Sequence, residues 1–356
     1  MKPTVLVLQE QVPPYRVPFF RFLAEELGRR DLDLRVVSSF VLPKVDELGF
    51  AYQRLLNSRW GLSALDAIYR ERPTVLVLPH SARFAPVATT TRLLQRHGRK
   101  QLFWGMGLAR RYGVASERDR RPAAETVRRL MLSTCDHYLS YTEISTANLL
   151  NRGYDAARIT TLDNAVEALA TPEQAMTAQR VPLKTLFVGS LVEDKGPLAA
   201  VAIVDRLRLL APGASLHIVG DGPLRSQCEH AANEREWVQY HGARRGQGLR
   251  ELALASDIAI IPGRVGLSVL EMASAGLPMA TFAASRHGPE ITYLKDGING
   301  LFLSADIDAA AKELGTLLTD RSALERMRNE VLGTASKYTI RRMVVNFTNG
   351  VIASLS

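Results

Sequence analysis

The sequence of 356 residues is 46% hydrophobic and 23% charged, contains two cysteines and carries a formal net charge of +9. This length favours two domains, and the apolar content excludes a chain that is mostly disordered. Two cysteines outside any C-x-x-C pattern exclude a disulfide framework and a thiolate zinc site, and no apolar run reaches the roughly 20 residues of a membrane span. The N-terminus has the pattern of a strand and a loop instead of a signal peptide, so we expect a cytoplasmic protein.

The positive charge lies entirely in the first half of the chain. Residues 1–165 contain 25 Lys and Arg against 16 Asp and Glu, a net +9, whereas residues 166–356 contain 20 of each and are neutral. The most charged stretch is Arg110–Arg121, which we expect to be a mobile surface loop. Such an excess can indicate an anionic partner, including an anionic membrane that the protein contacts peripherally, or only an arginine-rich solvated surface. Nucleic acid is not predicted, because no basic motif with interleaved aromatic residues occurs.

The first half alternates predicted strands and helices. Apolar runs predict strands at Thr4–Gln9, Leu32–Val37, Thr74–Pro79, Gln101–Trp104, His137–Tyr141 and Ile159–Leu162. Helical periodicity predicts helices at Val17–Leu27, Gly61–Arg70, Phe84–His97, Thr126–Leu132 and Ile144–Asn151. This alternation indicates a parallel sheet with helices on both faces, in which ligands bind at the carboxyl ends of the strands. The candidate ligand contacts there are Arg16, His80, Met106 and Asn164, although a lone histidine such as His80 is more often merely packed or exposed.

The second half repeats this pattern after a segment, Glu167–Pro182, that lacks a strong period and is predicted to link two domains. Predicted strands are Lys184–Val188, Leu216–Val219, Val238–His241, Asp257–Ile261 and Pro278–Phe282. The predicted fold class is therefore α/β, with two doubly wound, Rossmann-like domains (1–165 and 166–338) that face each other across a cleft. The last helix, 339–356, is predicted to pack back on the first domain.

One strand–loop–helix unit, Asp257–Gly276, suggests an anion site. Its strand is broken at Pro262 and Gly263, and the helix that follows carries Glu271 in its first turns. Glycine allows close approach to the backbone, the unpaired N–H groups of a helix start can hold a phosphate, and a carboxylate can hold ribose hydroxyls. Alternatively, Ser268 and Glu271 have the S-x-x-E spacing of a capping box, which would only terminate the helix.

Five fragments in the second half occur in a characteristic order: FVGSLVEDKG (Phe187–Gly196), HIVGDGP (His217–Pro223), VQYHG (Val238–Gly242), ASDIAIIPGRVGLSVLEMASAGLP (Ala255–Pro278) and HGPEITYLKDGINGLFL (His287–Leu303). Weaker fragments precede them: PPYRVPFF (Pro13–Phe20), FWGMG (Phe103–Gly107) and NAVE (Asn164–Glu167). In order and spacing the chain resembles the retaining glycosyltransferases of family 4, which have the two-domain GT-B fold. The resemblance implies transfer of a sugar from a nucleotide-sugar donor to an acceptor hydroxyl, with retention and without a metal or a cofactor.

The resemblance also implies roles for individual residues. Lys195 would contact the donor diphosphate, the backbone at Gly266–Ser268 the sugar and phosphate, and Glu271 the ribose; the loop Gly242–Arg244 would border the base. The implied donor-binding set is Gly189, Ser190, Lys195, Gly242, Ala243, Arg244, Gly263, Val265, Gly266, Leu267, Ser268 and Glu271. Lys195, Arg264 and Glu271 are the candidates for catalysis, and Arg16, His80, Met106 and Asn164 for the acceptor or sugar side. The acceptor would be a sugar, a lipid-linked glycan or a small molecule, in bacterial polysaccharide assembly or natural-product glycosylation.

Three positions depart from the family pattern. Gly263 stands where the E-x7-E motif has its first glutamate, Ser190 where an arginine is common, and Met106 where related chains often carry histidine. Arg264 can compensate for the missing arginine, but the thioether of Met106 cannot take a proton. These departures keep open a non-catalytic nucleotide-sugar-binding protein and a nucleotide-sugar epimerase on the same fold.

Overall fold

A computed structural model describes residues 2–39, 48–55, 62–94, 98–108 and 122–356. The chain divides into two compact units. The first unit comprises the described residues up to Glu167 together with Thr339–Ser356, and the second is Ala168–Tyr338. The chain therefore returns to its first unit with its last helix.

The first unit is built on a seven-stranded, all-parallel sheet with the strand order β3-β2-β1-β4-β5-β6-β7. Its strands are β1 (Thr4–Gln9), β2 (Asp33–Ser38), β3 (Ala51–Arg54), β4 (Val75–Pro79), β5 (Lys100–Gly105), β6 (His137–Ser140) and β7 (Ile159–Thr161). The helices between them are α1 (Val17–Gly28), α2 (Leu62–Glu71), α3 (Ala85–Leu93), α4 (Pro122–Met131) and α5 (Glu143–Leu150). The central strands are buried runs of Val and Leu, as expected for a parallel sheet covered on both faces.

Neighbouring residues of a strand serve opposite faces of this sheet. Phe103 of β5 belongs to the core cluster that includes Val87 of α3. Trp104, the next residue, lies 5.4 Å from the ring of Phe19 in α1 and 5.3 Å from the ring of Phe347, measured between ring centroids. Because successive side chains of a strand point to opposite faces of the sheet, Phe103 and Trp104 pack in two separate apolar layers.

The second unit is built on a six-stranded, all-parallel sheet with the strand order β10-β9-β8-β11-β12-β13. Its strands are β8 (Lys184–Val188), β9 (Ser215–Val219), β10 (Val238–Tyr240), β11 (Ile258–Ile260), β12 (Met279–Phe282) and β13 (Gly300–Leu303). Its helices are α6 (Pro172–Met176), α7 (Pro197–Leu207), α8 (Arg225–Glu234), α9 (Gln247–Ala255), α10 (Ser268–Ser274), α11 (Ile307–Thr319) and α12 (Arg321–Lys337). The order places β8 and β11 side by side at the centre of the sheet.

The last helix, α13 (Ile340–Leu355), belongs to the first unit. Arg342 Nε donates to Asp163 Oδ2 at 2.9 Å, which ties the start of the helix to the segment after β7. Gly350 lets the helix approach the sheet closely, because a side chain there would lie 3.1 Å from Thr160 Oγ1.

The sequence pattern predicts neither β3 nor β13. β3 is an exposed edge strand, and its residues AYQR show no apolar alternation. β13 is a four-residue strand that begins at the glycine of the pair Asn299–Gly300, a combination that favours a turn. Helix α10, the helix of the predicted strand–loop–helix unit Asp257–Gly276, begins at Ser268.

Candidate functional site

Two loops of the second unit meet at the carboxyl ends of β8 and β11. The strands are parallel neighbours, so the loops that follow them leave the same edge of the sheet. The N–H of Gly263 donates to the carbonyl oxygen of Lys195 at 3.1 Å, and the N–H of Arg264 donates to that of Asp194 at 2.6 Å. The segment Asp194–Lys195 and the turn Gly263–Arg264 therefore form one backbone-paired structure.

This pairing explains the missing glutamate at Gly263. A Cβ atom there would lie 2.6 Å from the carbonyl carbon of Lys195 and would collide with the carbonyl oxygen of Asp194. Those atoms belong to backbone and cannot swing aside. Gly196, with φ +69°, is equally close from the other side: its Cβ would lie 3.2 Å from the nitrogen of Gly263. The turn thus holds no carboxylate at this position because its backbone packs against its neighbour.

Lys195 is a half-buried cation at this junction. Its ammonium makes no hydrogen bond or ion pair with any part of the chain that the structure describes. The pKa of Lys195 is lowered to about 8: burial and the guanidinium of Arg264 lower it, and the carboxylates of Asp194 and Glu290 act in the opposite direction. A desolvated ammonium without a counter-ion, beside a second positive charge, favours an anionic ligand.

Arg264 is engaged by Asp194. Its Nε donates to Asp194 Oδ2 at 2.7 Å, and both side chains are about half exposed. The sequence suggested that Arg264 accompanies Lys195, and the structure does bring the two residues together. The charge of Arg264 is, however, shared with a carboxylate, so Lys195 is the cation less compensated by its surroundings.

The start of α10 shows that the capping-box alternative is wrong. Leu267 occupies the N-cap position and no side chain caps the helix. The Oγ of Ser268 is buried and lacks a hydrogen-bond partner among the described residues. Glu271 is half-buried, and its carboxylate has no hydrogen bond or ion pair within the described ranges. Burial raises the pKa of Glu271, and Arg245 opposes this. A hydroxyl and a carboxylate, one helical turn apart, are thus left without protein partners.

His287, to which the sequence analysis assigned no role, binds the turn through its imidazole ring. The N–H of Val265 donates to His287 Nδ1 at 3.2 Å, and His287 Nε2 lies 3.0 Å from the carbonyl oxygen of Phe282. In return, the N–H of Gly288 donates to the carbonyl oxygen of Val265 at 2.7 Å. A histidine soon after a strand was the one available signal, and a lone histidine is weak evidence by itself.

Glu290 is a buried carboxylate beside this turn. Its Oε2 would lie 2.7 Å from a Cβ on Gly288, so a side chain at Gly288 would displace it, whereas a Cβ on Gly266 would lie at an ordinary contact distance of 3.7 Å. The sequence predicted no role for Glu290, although it stands in the quoted HGPE motif.

The remaining donor-side candidates lie in the loops after β8 and β10. Gly189 has φ +152°, and the glycines of the G-D-G turn pack against its loop: a Cβ on Gly222 would lie 2.7 Å from the carbonyl oxygen of Leu191. Gly220 donates to the carbonyl oxygen of Gly242 at 2.9 Å, which joins the two loops. Ser190, Ala243 and Arg244 are exposed at these loops.

In the first unit, Arg16 and Asn164 bind each other. Arg16 Nη2 donates to Asn164 Oδ1 at 2.5 Å, and Arg16 Nη1 donates to the carbonyl oxygen of Ala165 at 3.3 Å. Both side chains are buried, and the guanidinium also lies 5.4 Å from the ring centroid of Trp104. In this structure both side chains make internal contacts of the first unit, and their role in contacting an acceptor stays a prediction.

His80 is likewise packed inside the first unit, and its role as a sugar contact stays a prediction. Its Nδ1 lies 2.8 Å from the hydroxyl of Tyr138 and its Nε2 lies 2.8 Å from the carbonyl oxygen of Arg128. Burial lowers the pKa of His80 to about 4, so the ring is neutral at physiological pH. Met106 is half-buried in the turn after β5 and is the most exposed of the four first-unit candidates.

The predicted basic loop Arg110–Arg121 lies outside the residues that the structure describes. Across the described ranges, no group of three or more His, Cys, Asp or Glu side chains is arranged to hold a metal ion. No helix among the same residues combines the length and the apolar character needed to cross a bilayer.

Residues 182–320 match the family model of the glycosyl transferases group 1. This range contains Lys195, Arg264, Glu271 and His287. Over 180 residues the chain is 28% identical to glycogen synthase of Mycobacterium tuberculosis. The aligned region covers 49% of this chain and 43% of that protein. The chain thus aligns with less than half of the length of this curated relative.

Solved structures match along almost the whole chain. A glycosyltransferase from Rickettsia africae is 14% identical, covers 99% of this chain and 98% of its own, and gives a TM-score of 0.71. Anabaena HepE, solved in complex with UDP, is 12% identical, covers 99% of this chain and 100% of its own, and gives a TM-score of 0.73. At these identities the likeness establishes the fold. The predicted α/β class with two Rossmann-like, parallel-sheet domains of the GT-B kind is confirmed.

Proposed function

We propose that the protein is a glycosyltransferase that moves a sugar from a nucleotide-sugar donor to an acceptor hydroxyl. The match of residues 182–320 to a glycosyltransferase family model supports this proposal. The observation that carries it concerns Lys195, in the segment after β8, and Glu271, in the helix α10 that follows the neighbouring strand β11. Both are desolvated charges whose side chains have no hydrogen bond or ion pair among the described residues. A nucleoside diphosphate offers both missing partners, because its diphosphate can pair with an ammonium and its ribose hydroxyls can donate to a carboxylate.

In this proposal each donor-site residue has one task. Lys195, with Arg264 beside it, binds the diphosphate. Glu271 accepts hydrogen bonds from the ribose, while Gly242–Arg244 borders the base. The backbone of Gly266–Ser268 lies against the phosphate and the sugar, where glycine permits a close approach.

The reaction that fits these groups is sugar transfer with retention and without a metal. The bond between the anomeric carbon and the diphosphate oxygen breaks, and the acceptor oxygen forms its new bond on the same face of the sugar. The acceptor proton passes to the departing diphosphate. Lys195 stabilises the charge that grows on that leaving group, which is the electrostatic contribution expected to dominate.

The acceptor side of the proposal rests on charge. The first 165 residues carry the whole net charge of +9, which favours an anionic or lipid-linked acceptor and peripheral contact with an anionic membrane surface on the cytoplasmic side. A setting in polysaccharide assembly or natural-product glycosylation agrees with such acceptors. Arg16, His80 and Asn164 make internal contacts of the first unit, and Met106 is the most exposed first-unit candidate for this side.

The direct experiment incubates the protein with a panel of nucleotide sugars, with and without acceptor mixtures, and measures nucleotide release and products. Release that depends on an acceptor, with a glycoside of the donor's anomeric configuration, supports the proposal. Binding without release would favour a non-catalytic sugar-nucleotide-binding protein, and conversion of the donor sugar without acceptor would favour an epimerase. No release with any donor would contradict the proposed activity.

A further inference from the structure

His287 is placed to hold the turn that follows β11. Its side chain is only 1% exposed, and its two ring nitrogens reach two different segments. Nδ1 faces the N–H of Val265 at 3.2 Å, and Nε2 faces the carbonyl oxygen of Phe282 at 3.0 Å. The ring thus bridges the turn Gly263–Gly266 and the end of β12.

The partners of His287 fix its protonation. A backbone N–H can only donate, so Nδ1 must be the unprotonated nitrogen. A carbonyl oxygen can only accept, so Nε2 must carry the hydrogen. This is the neutral Nε2–H form of imidazole. In a protonated ring Nδ1–H would face the N–H of Val265, so two hydrogen-bond donors would meet without an acceptor.

Other hydrogen bonds also hold this turn. The N–H of Gly288 donates to the carbonyl oxygen of Val265 at 2.7 Å, and Thr281 Oγ1 donates to the carbonyl oxygen of Gly263 at 3.2 Å. The turn is paired in addition with the backbone of Asp194–Lys195. The imidazole is the acceptor for the N–H of Val265, so a residue that cannot accept there would leave this one backbone group of the turn without its bond.

We propose that His287 is a positioning residue that, in its neutral Nε2–H form, fixes the turn Gly263–Gly266 for binding of the donor diphosphate. This inference rests on the proposed function for its ligand, and on the geometry of the turn for the positioning itself. His287 touches no reacting group in this scheme; it acts through the backbone of Val265.

The surroundings of His287 favour the neutral ring, because on balance they lower its pKa. Burial lowers the pKa of His287, the hydrogen bond to Phe282 opposes this, and the ammonium of Lys195 lowers the pKa further. Two carboxylates lie at this turn: that of Glu290 beside Gly288, and that of Asp194, which pairs with Arg264. Phe302, which packs from β13 with its ring centroid 6.4 Å from that of the imidazole, contributes no charge.

The first test measures hydrogen exchange in the full-length protein over peptides that contain residues 263–267. His287→Phe keeps an aromatic ring but removes the acceptor, and should speed exchange there by about tenfold, the equivalent of one lost hydrogen bond. His287→Gln can still accept from Val265 and should stay within about threefold of the wild type. His230→Phe, at an exposed histidine of α8, is the matched control. Unchanged exchange in His287→Phe would overturn the proposal, as would equal loosening of the distant helix α11.

The second test uses pH. Acidification below the ordinary histidine pKa should loosen residues 263–267 in the wild type more than in His287→Gln, since glutamine does not titrate. Intrinsic exchange chemistry is common to both proteins and cancels in their ratio. Identical pH profiles would overturn the requirement for the neutral ring.

The third test measures the affinity of UDP, ADP and GDP for the same proteins. For the nucleotide that binds the wild type best, His287→Phe should lower the affinity by about tenfold. The affinity of His287→Gln should stay close to that of the wild type. Faster exchange with unchanged affinity would overturn the positioning role. Failure of the wild type to bind any of the three would contradict the proposed function instead, and the exchange tests would still decide whether His287 fixes the turn.

Discussion

The N–H of Gly263 donates to the carbonyl oxygen of Lys195 at 3.1 Å, so the candidate lysine and the glycine that replaces a family glutamate belong to one packed structure. The glutamate is not simply absent from this chain; the backbone of Asp194–Lys195 occupies its place. A site assembled in this way keeps its cation close to the turn and must contact the donor sugar with other groups.

A first prediction concerns the space at Gly263. Gly263→Ala should lower stability by about 2–3 kcal/mol, because the new Cβ would overlap rigid backbone. Restoring the family glutamate with Gly263→Glu should be at least as harmful and should not raise activity. Thermal and urea unfolding measure both effects. Gly333→Ala is the control: it lies in α12 with nothing within 4 Å of its Cβ and should stabilise by up to about 1 kcal/mol. Full stability of Gly263→Ala would refute the packing argument.

A second prediction concerns Lys195. Lys195→Ala should weaken nucleoside diphosphate binding by at least about tenfold, since it removes a charge-assisted contact. Lys312→Ala, at an exposed lysine of α11, should leave affinity unchanged. Isothermal titration calorimetry measures both. Equal affinities for the two variants would remove Lys195 from the site.

The same lysine predicts a pH dependence. Burial lowers the pKa of Lys195 to about 8, and a diphosphate binds the ammonium form. Affinity should therefore be complete near pH 7 and should fall as pH rises through about 8, where the terminal phosphate, with a pKa of about 6, no longer titrates. Lys195→Ala should lose this alkaline limb. A wild-type affinity that is flat between pH 7 and 9.5 would contradict the assignment.

A further prediction concerns Glu271. Burial raises its pKa, so the ionised carboxylate is less favourable in the folded than in the unfolded chain at neutral pH. Glu271→Gln should consequently leave the melting temperature unchanged or raise it, while weakening nucleotide binding by about fivefold or more. Glu251→Gln, on the exposed surface of α9, should change neither. A fall in melting temperature with intact affinity would assign Glu271 a structural role.

A last prediction concerns Arg180, which links two helices of the second unit. Arg180 donates through Nη1 to Ala253 (3.2 Å) and Ser256 (2.7 Å), and through Nη2 to Ala275 (2.7 Å) and Gly276 (3.1 Å), so one guanidinium joins the carboxyl ends of α9 and α10. Arg180→Ala should lower the free energy of unfolding by about 2–4 kcal/mol. The exposed Arg206→Ala, which breaks a surface ion pair with Asp308, should change it by less than about 1 kcal/mol. Similar losses for both would contradict this account of Arg180.

The sequence predicts those elements whose structure depends on neighbouring residues better than those that depend on contacts between residues far apart in the chain. Buried strands such as Thr4–Gln9 and Lys184–Val188 were predicted with their exact bounds, because a run of Val, Leu and Phe between turn residues is a local signal. The exposed edge strand Ala51–Arg54 has no such signal. Its place is set by pairing with β2, which a local pattern does not contain.

The candidate site divides in the same way. Lys195 and Glu271 could be selected from motif spacing, since both follow strand–turn patterns. The internal roles of Arg16 and Asn164 depend on a contact between residues 148 positions apart, and those of His80 on one between residues 58 apart. The packing that excludes a side chain at Gly263 depends likewise on the fold of a distant loop. Strand-end position alone does not distinguish an internal tie from a ligand contact.

The central claim, that Lys195 and Glu271 form the donor site, is tested most directly by a crystal structure of the wild-type protein with the nucleoside diphosphate that binds it best. The account predicts a diphosphate oxygen within hydrogen-bond distance, about 3 Å, of Lys195 Nζ and a ribose hydroxyl at a similar distance from the Glu271 carboxylate. A nucleotide bound elsewhere, or one whose phosphates and ribose avoid both side chains, would contradict it.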